Sequence, residues 1–536
     1  MNALPLPPMS FSIWGSEQEA KPLSKSLQSL VGKVVGNTTP RPAPALAEVK
    51  ISECALDAAQ LEALEAICGA GYVSTEREQR IPRARGKSYF DLLDWRVDQV
   101  IDVPDAVVAP KSNEQVLELL QWASKSSVAV VPFGGGTSVV GGVSPLRGRF
   151  NAVISLDLTR FDAIEDVDSI SGEATLGAGM SGPQAEIALA EHGLQLGHFP
   201  QSFPYATIGG FAATRSSGQN SAGYGRFDEM VASMEVVTPQ GIMTVGDAAP
   251  ASAAGPDLKE LFMGSEGTFG IITKVRLKVH PIPEAKAYEA FVFPDFASGV
   301  AAVRAVEQHK TGPTVIRLSD EIESATNLTS TDAIGEQDTA APHGCLCLTM
   351  YEGTREHVAS RHEETRNLLL EMGATSLGEA PVRKWEKGRF GAPVLRDALL
   401  DAGVLCETFE TATTWSNVPN LKKAITAAVT EALGEGNSVA LVLCHVSHVY
   451  ANGCSLYFTI LGAQDEAPIE QWRHAKLSIL RAITEHNGTI THHHAVGTDH
   501  ADFMQQEVGQ LGLGILRAVK DHLDPQGVLN PGKLLP

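Results

Sequence analysis

The sequence predicts an α+β protein in two main parts, the second an antiparallel sheet covered by helices. Three observations carry this. Between about Asp102 and Pro283, short apolar strands are separated by glycine-rich loops. Beyond Pro283, two similar rounds of strand and helix follow one another, with no short-period repeat. Hydrophobic residues make up 43% of the 536, at a mean hydropathy of -0.02, which supports a large core in a soluble chain.

The elements follow in order. "TTPRPAPALAEVK" (Thr38 to Lys50) is a proline-rich extended linker, and "DAAQLEALEAICGAG" after it has helical periodicity. "NEQVLELLQWASKSS" is an amphipathic helix, "VAVVPF" a buried strand, and "RGRFNAVISLDL" contains another. "GEATLGAGM" is a strand and "GPQAEIALAEHG" a helix closed by a glycine cap. "MVASMEVVTPQGIMTVG" is a hairpin around Pro239-Gln240-Gly241, and "GIITKVRLKVHPIP" alternates like an exposed strand. In the second part, "DFASGVAAVRAVEQHK" and "TREHVASRHEETRNLLLEMG" are helices flanking the strands "PTVIRLSD" and "CLCLTMYEG". The second round is "LCETFETATTW", the helix "LKKAITAAVTEAL", then "SVALVLCHVSHVY" and "GCSLYFTILG" as paired strands, and "ADFMQQEVGQLGLGILRAVKDHLDP" is helical.

A formal charge of -21 excludes nucleic-acid binding, which needs a basic stripe, and simple adsorption to an anionic membrane. The seven cysteines are odd in number and form no C-x-x-C pair, so they read as reduced thiols of a cytoplasmic protein. The first residues lack a basic stretch followed by an apolar one, so no signal peptide is expected. No run approaches the ~18 apolar residues of a membrane span.

Two glycine stretches compete for a phosphate. "GAGMSG" (Gly177 to Gly182) has G-x-G-x-x-G spacing, but no acidic residue ends a second strand about twenty positions on, so a tight strand-to-helix turn explains it better. "PFGGGTSVVGG" (Pro132 to Gly142) sets three glycines and two hydroxyls after a buried strand, so successive backbone N–H groups can converge on one anion. "PQSFPYATIGGFAATRSSGQNSAGYG" (Pro200 to Gly225) and "GSEGTFGIIT" (Gly264 to Thr273) have the same character. Three such loops between strands point to one extended ligand containing a pyrophosphate.

"ITHHHAVGTDH" places His492, His493 and His494 in a row. On a strand His492 and His494 share one face while His493 points away. A zinc cage draws further ligands, and with His445 and His448 as the available helpers the carboxylate is missing. No metal is therefore expected. Proton handling suits imidazoles, whose pKa lies near neutral.

The motifs "PFGGGTSVVGG", "PQSFPYATIGGFAATRSSG", "GSEGTFGIIT" and "THHHAVG", in this order and spacing, resemble the FAD-binding (PCMH-type) flavoproteins of the vanillyl-alcohol oxidase/p-cresol methylhydroxylase superfamily. Within it, "CHVSHVYANGCSLYF", "VLRDALL", "ETFET" and "IRLSD" resemble the alkyldihydroxyacetonephosphate synthase family. The ending "DPQGVLNPGKLLP" is similar to that of redox-active members instead. The resemblance implies a division into 1–101 (N-terminal helical segment and linker), 102–282 (FAD-binding domain), 283–487 (substrate or cap domain) and 488–536 (a segment returning to the flavin). It implies FAD contacts at Gly134, Gly135, Gly136, Thr137, Ser138, Val139 and Val140, and at Pro200, Gln201, Ser202, Phe203, Pro204, Tyr205 and Ala206. Further contacts fall at Thr214, Arg215, Ser216 and Ser217, and at Glu266, Gly267, Thr268, Phe269, Gly270, Ile271 and Ile272. No His or Cys lies in residues 130–143, so the FAD is expected to be non-covalent.

The family exchanges the acyl group of acyl-dihydroxyacetone phosphate for a fatty alcohol through a flavin N5 adduct, without net redox. Its catalytic tyrosine lines up with Tyr457, its phosphate-binding arginine with Arg396, a further activity-linked arginine with Arg317, and its histidine triplet with His492, His493 and His494. Tyr457 is expected to accept the substrate proton, with a histidine as relay. The expected partners are a small phosphorylated, lipid-like substrate, a peripheral membrane contact that delivers it, and a second copy in a homodimer. A second reading is an FAD-linked dehydrogenase or oxidase of a hydroxy acid or polyol.

Overall fold

The computed structural model describes residues 4–5, 7–20, 22–36, 38–97, 99–246, 249–326, 343–434 and 440–536. A first sheet takes the spatial order Val73–Ser74, Ala106–Val108, Ala152–Asp157, Val128–Phe133, and its last three strands are parallel. The helix Asn113–Ser126 makes the crossover, with Ser112 capping its start and Ser127 closing it at φ 54. Ala152–Asp157 is buried throughout, Ser155 and Asp157 included, as a strand of a parallel sheet covered on both faces should be. Pro132, which lacks an N–H, is tolerated because Val128–Phe133 is the edge strand.

A second, antiparallel sheet has the order Ile164–Asp168, Glu173–Gly177, Ile271–Lys278, Val231–Thr238, Gly241–Gly246. The expected hairpin closes with Thr238 opposite Gly241. Ile271–Lys278 was expected to be exposed and is instead the central strand. Its Lys274 and Arg276 alternate onto one face and pair there with Glu165, Glu235, Glu173 and Asp166, while Val275 and Leu277 are buried. Gly182–Ala190 stops before the expected glycine cap; Gly193, at φ 72, belongs to the turn that follows. The Pro200–Gly225 stretch is partly helical, at Ile208–Thr214 and Ser221–Tyr224.

The third sheet, spanning Ala285–Phe293 to Gly453–Ala463 in the chain, is antiparallel with helices against it, as predicted from two repeated rounds. The predicted strand "SVALVLCHVSHVY" is seen as Leu441–Val446 and Val449–Tyr450; Ser438 and Val439 lie outside the described residues. Phe409 and Phe458, opposite each other on neighbouring strands, stack at 5.0 Å within the same apolar cluster as Leu421, Ile425 and Ile479 of the covering helices. That cluster also contains Leu176, Met234 and Val275 of the second sheet, so the second and third sheets share one core. The helix Met504–Leu523 is interrupted at Gly509, whose φ of 74 is left-handed. Among the described residues no helix is long and apolar enough to cross a membrane, and all seven cysteines are free.

Candidate functional site

Strand alternation builds one wall of the site. On the third sheet Ser319, His445, Tyr457 and Glu410 stand opposite one another across four neighbouring strands, and opposite residues project to the same face. Two positions along each strand, the same face carries Arg317, Thr408 and Thr459. A cavity of about 390 Å³ lies over this row. Its opposite wall is the glycine loops Gly134 to Val139, Pro200 to Ser202 and Glu266 to Gly267. A further arm is apolar, lined by Leu27, Val31, Val35, Leu395, Leu399 and Leu461. Val31 and Val35 belong to the segment Lys25 to Val35, an amphipathic helix and its cap within the expected N-terminal helical segment, not singled out there as part of the site.

The glycine loops interlock. A Cβ on Gly135 would stand 2.0 Å from the Tyr205 carbonyl oxygen, one on Gly134 would stand 2.4 Å from Thr207 Oγ1, and Gly136 takes φ +64. Among the described residues, the backbone N–H groups of Gly135, Gly136, Thr137, Ser138 and Val139 donate to no group of the chain, and buried Gln201 Nε2 is also unpartnered. Five successive free donors facing a cavity fit a pyrophosphate. By contrast Gly177 and Gly179 abut the carbonyls of Phe161 and Leu158, so "GAGMSG" is a packing turn.

Several expected FAD contacts stand outside the cavity lining and hold the loops instead. The Val140 carbonyl accepts from Thr498 N at 2.9 Å, and Phe203 stacks on Phe390. Tyr205 donates to Glu19, Arg215 pairs with Asp228 and Glu260, and Phe269 is core. The Thr268 carbonyl accepts from Lys520 Nζ, and Pro204 lies away from the lining. Glu266, Gly267, Gly270, Ile271, Ile272, Thr214, Ser216, Ser217, Pro200, Gln201, Ser202 and Ala206 do line the cavity. Glu266, at φ +52, accepts from the N–H groups of Val496 and Gly497 at 3.1 and 2.8 Å. Burial pushes its carboxyl up to about 7. The "LNPGK" ending is a clamp: Asn530 Nδ2 donates to Gly142 O and Glu266 O, and Lys533 Nζ to Ser144 O.

The histidine run departs from expectation in two ways. It is a bend, not a strand, and its carboxylate is present. Glu410 accepts from Thr491 Oγ1 at 2.6 Å and from the backbone N–H groups of His492, His493 and His494 at 2.7, 3.2 and 3.0 Å. Burial opposes its ionisation, but His493, His494 and His492 and the Thr491 hydroxyl outweigh this and hold it well below the usual carboxylate range. Gathering three successive amides on one oxygen pair curls the chain, so His493 turns into the cavity beside His494 while His492 faces away to Tyr450. Glu410 was legible only as the last carboxylate of "ETFET", on the face shared by Thr408.

Burial lowers every imidazole here: His492 falls to about 4, and His493, His494, His445 and His448 are also depressed, so they are neutral acceptors near pH 7. Burial pushes Tyr457 up to about 12, and its hydroxyl pairs with Thr408. Its ring meets His494 edge-on at 5.6 Å and stacks on His445 at 4.9 Å. Burial keeps this phenol protonated near pH 7, so the expected role as proton acceptor requires its own proton to pass first to an imidazole, and His494 and His445 lie against its ring. Arg396 is buried, with Nε and Nη2 on its neighbour Asp397 and Nη1 on Lys87 O at 2.7 Å. Two of its five N–H donors remain. Arg317 pairs with Glu323 and lies against His445, and its Nε is unpartnered.

His448, His492 and His493 bring one nitrogen each within 4.8 Å of one another, close enough to be weighed as cation ligands. The His492 and His493 Nδ1 atoms stand 3.0 Å apart. Two nitrogens at ~2.05 Å on one tetrahedral zinc would stand ~3.3 Å apart. The spacing is that of an N–H···N hydrogen bond, with the proton on one of the two rings.

Comparison with known proteins agrees with this geometry. Residues 104–246 match the FAD binding domain model, and 282–534 match the FAD linked oxidases, C-terminal domain. The alkyldihydroxyacetonephosphate synthase of Trypanosoma brucei brucei is 32% identical over 96% of this chain and 87% of its own length. A solved alkyldihydroxyacetonephosphate synthase, 28% identical, superposes with a TM-score of 0.85 over 98% of this chain and 99% of that one. Substrate-bound p-cresol methylhydroxylase, 17% identical, shares the fold at a TM-score of 0.66 over 88% of this chain and 96% of that one. An FAD fold, glycine loops with free amides, and a relative matched nearly end to end make this chain a member of the alkyldihydroxyacetonephosphate synthase family of FAD-binding enzymes.

Proposed function

We propose that the chain exchanges the fatty acyl group of acyl-dihydroxyacetone phosphate for a fatty alcohol. The carrying observation is the cavity itself, which joins the glycine loops, the Tyr457 and histidine wall and the apolar arm in one space. The glycine-loop amides and Gln201 hold FAD non-covalently. Bound FAD would supply a ring nitrogen that carries the substrate carbon between the two bond changes, without net electron transfer. Arg396 and Arg317, flanking Tyr457, hold the phosphate with their remaining donors. Leu27, Val31, Leu395 and Leu399 take the alkyl chain. The bond from the substrate carbon to the carboxylate oxygen breaks and one to the alcohol oxygen forms, and the alcohol proton leaves. Tyr457, once its own proton has passed to an imidazole, takes the proton of the substrate carbon, and His493 and His494 accept protons. The division at residues 101, 282 and 487, a cytoplasmic location with reduced thiols, a homodimer and a peripheral membrane contact complete the reading.

The test incubates holoenzyme anaerobically with acyl-dihydroxyacetone phosphate and labelled fatty alcohol, without an electron acceptor. Label should enter the ether product, one fatty acid should be released per alcohol consumed, and the flavin should stay oxidised. Bleaching by a simple hydroxy acid, with no exchange, would instead establish the FAD-linked oxidoreductase.

A further inference from the structure

The exchange just proposed releases a proton at each turnover, because the alcohol enters as R–OH and the fatty acid leaves ionised. The groups around the reacting face are buried, so that proton needs a route out. Resting on that reading, the geometry points to one: a hydrogen-bonded relay from His493 through His492 to the Tyr450 hydroxyl, which makes Tyr450 a proton-transfer residue outside the cavity.

His493 lines the cavity, and His492 and Tyr450 do not. His493 Nδ1 and His492 Nδ1 are 3.0 Å apart and share a proton, which leaves His493 Nε2 for the cavity. His492 Nε2 is 2.6 Å from the Tyr450 hydroxyl. Tyr450 is only half-buried. Arg226 donates to the Tyr450 oxygen and fixes it beside His492, while Asp228 in turn accepts from Arg226 at 3.0 Å. The rings are aligned by their neighbours. His448 stacks on His492 at 5.1 Å and is held by the Ser217 and Ser221 hydroxyls at 3.0 and 2.8 Å, and Glu410 fixes the backbone of the run.

Protons balance along the chain. A proton taken up at His493 Nε2 releases the one on Nδ1 to His492 Nδ1. His492 then gives its Nε2 proton to the Tyr450 oxygen, and the Tyr450 O–H passes to water. Each imidazole ends as the other neutral tautomer, and a ring flip of each between turnovers restores the starting one without returning the proton to the cavity. No buried ion persists, which suits imidazoles whose charged forms are disfavoured by burial.

Tyr450→Phe removes the last link and keeps the ring. In the holoenzyme, kcat should fall on the order of 10²-fold, the low end for a lost proton-transfer group. KM and flavin content should hold, and added imidazole buffer should restore turnover. An unchanged kcat, or a loss that buffer does not restore, overturns the relay. A second measurement is independent of the reaction. With selectively ¹⁵N-labelled histidine, one proton should couple to the Nδ1 atoms of both His492 and His493, and its shift should move in Tyr450→Phe. If the wild type shows the shared proton but no acyl exchange, the substrate assignment fails and the relay stands. Absence of the shared proton, or a stoichiometric metal in the purified holoenzyme whose removal abolishes it, refutes the relay.

Discussion

Tyr457 and Arg396 show how neighbours set what a side chain can do. Tyr457 is a buried phenol whose pKa burial raises and the Thr408 hydroxyl partly lowers, so it serves as a base only with an imidazole to take its own proton. Tyr457→Phe keeps the ring against His445 and removes the hydroxyl. FAD should remain bound while turnover falls ~10²–10⁴-fold, as for a lost general base; absorbance titration and steady-state rates on one preparation check both parts. Arg396 already spends three N–H groups on Asp397 and Lys87. The two left suit a phosphate only as a planar fork, which lysine cannot copy. Arg396→Lys should raise KM for the phosphorylated substrate ~10–100-fold, the worth of one charge-assisted hydrogen bond of ~1.5–3 kcal/mol, and leave a dephosphorylated analogue unaffected. Equal losses on both would make Arg396 a structural ion pair.

At the scale of elements, the loops are held by contacts with each other. Gly135 meets the backbone of Tyr205 and Ala206, which cannot rotate away as a side chain can. Gly135→Ala should push the two loops apart, cost ~1–3 kcal/mol of stability as overpacking does, and lower the flavin recovered per chain, read as the ratio of visible to ultraviolet absorbance. Gly312→Ala is the control: nothing lies within 4 Å of its Cβ, so flavin content should match the wild type. Loops of this kind were legible because consecutive glycines after a buried strand have few other uses. The strands and the Pro239-Gln240 turn were legible from period-two patterning and turn chemistry. The histidine bend was not, because it is imposed by Glu410, about eighty residues away, and no local pattern announces so distant an acceptor. Within the N-terminal helical segment, Lys25–Val34 was not singled out, because its apolar face is completed only by Leu399, Val404 and Cys406.

Across the whole molecule, the buried side chains between the sheets include many titratable groups whose acid responses oppose one another. His198, His492 and His500 are depressed by burial to about 3, 4 and 3. Unfolded, each titrates near ~6.5, so the unfolded chain binds more protons in that window and stability rises with pH across it. Buried carboxyls such as Glu266, raised to about 7, bind more protons when folded and pull the other way. The net slope of the wild type is thus a difference of large parts, and a single group must be isolated by subtraction. His198 is the cleanest, since burial is its whole cause and its one polar contact is Ser216 Oγ at 3.0 Å, with Phe211 and Phe227 against the ring. His198→Asn keeps a polar partner for Ser216 and removes the titration. Above pH 6.5 the variant should be the less stable, because it loses ring packing. Below it the wild type alone must charge or exclude a buried imidazole, so the gap should narrow by up to ~1.4 kcal/mol per pH unit. Urea unfolding of both proteins from pH 7 to pH 5 measures that gap. A gap independent of pH would mean that His198 is protonated to the same extent folded and unfolded, and that the cleft beside the glycine loops admits water.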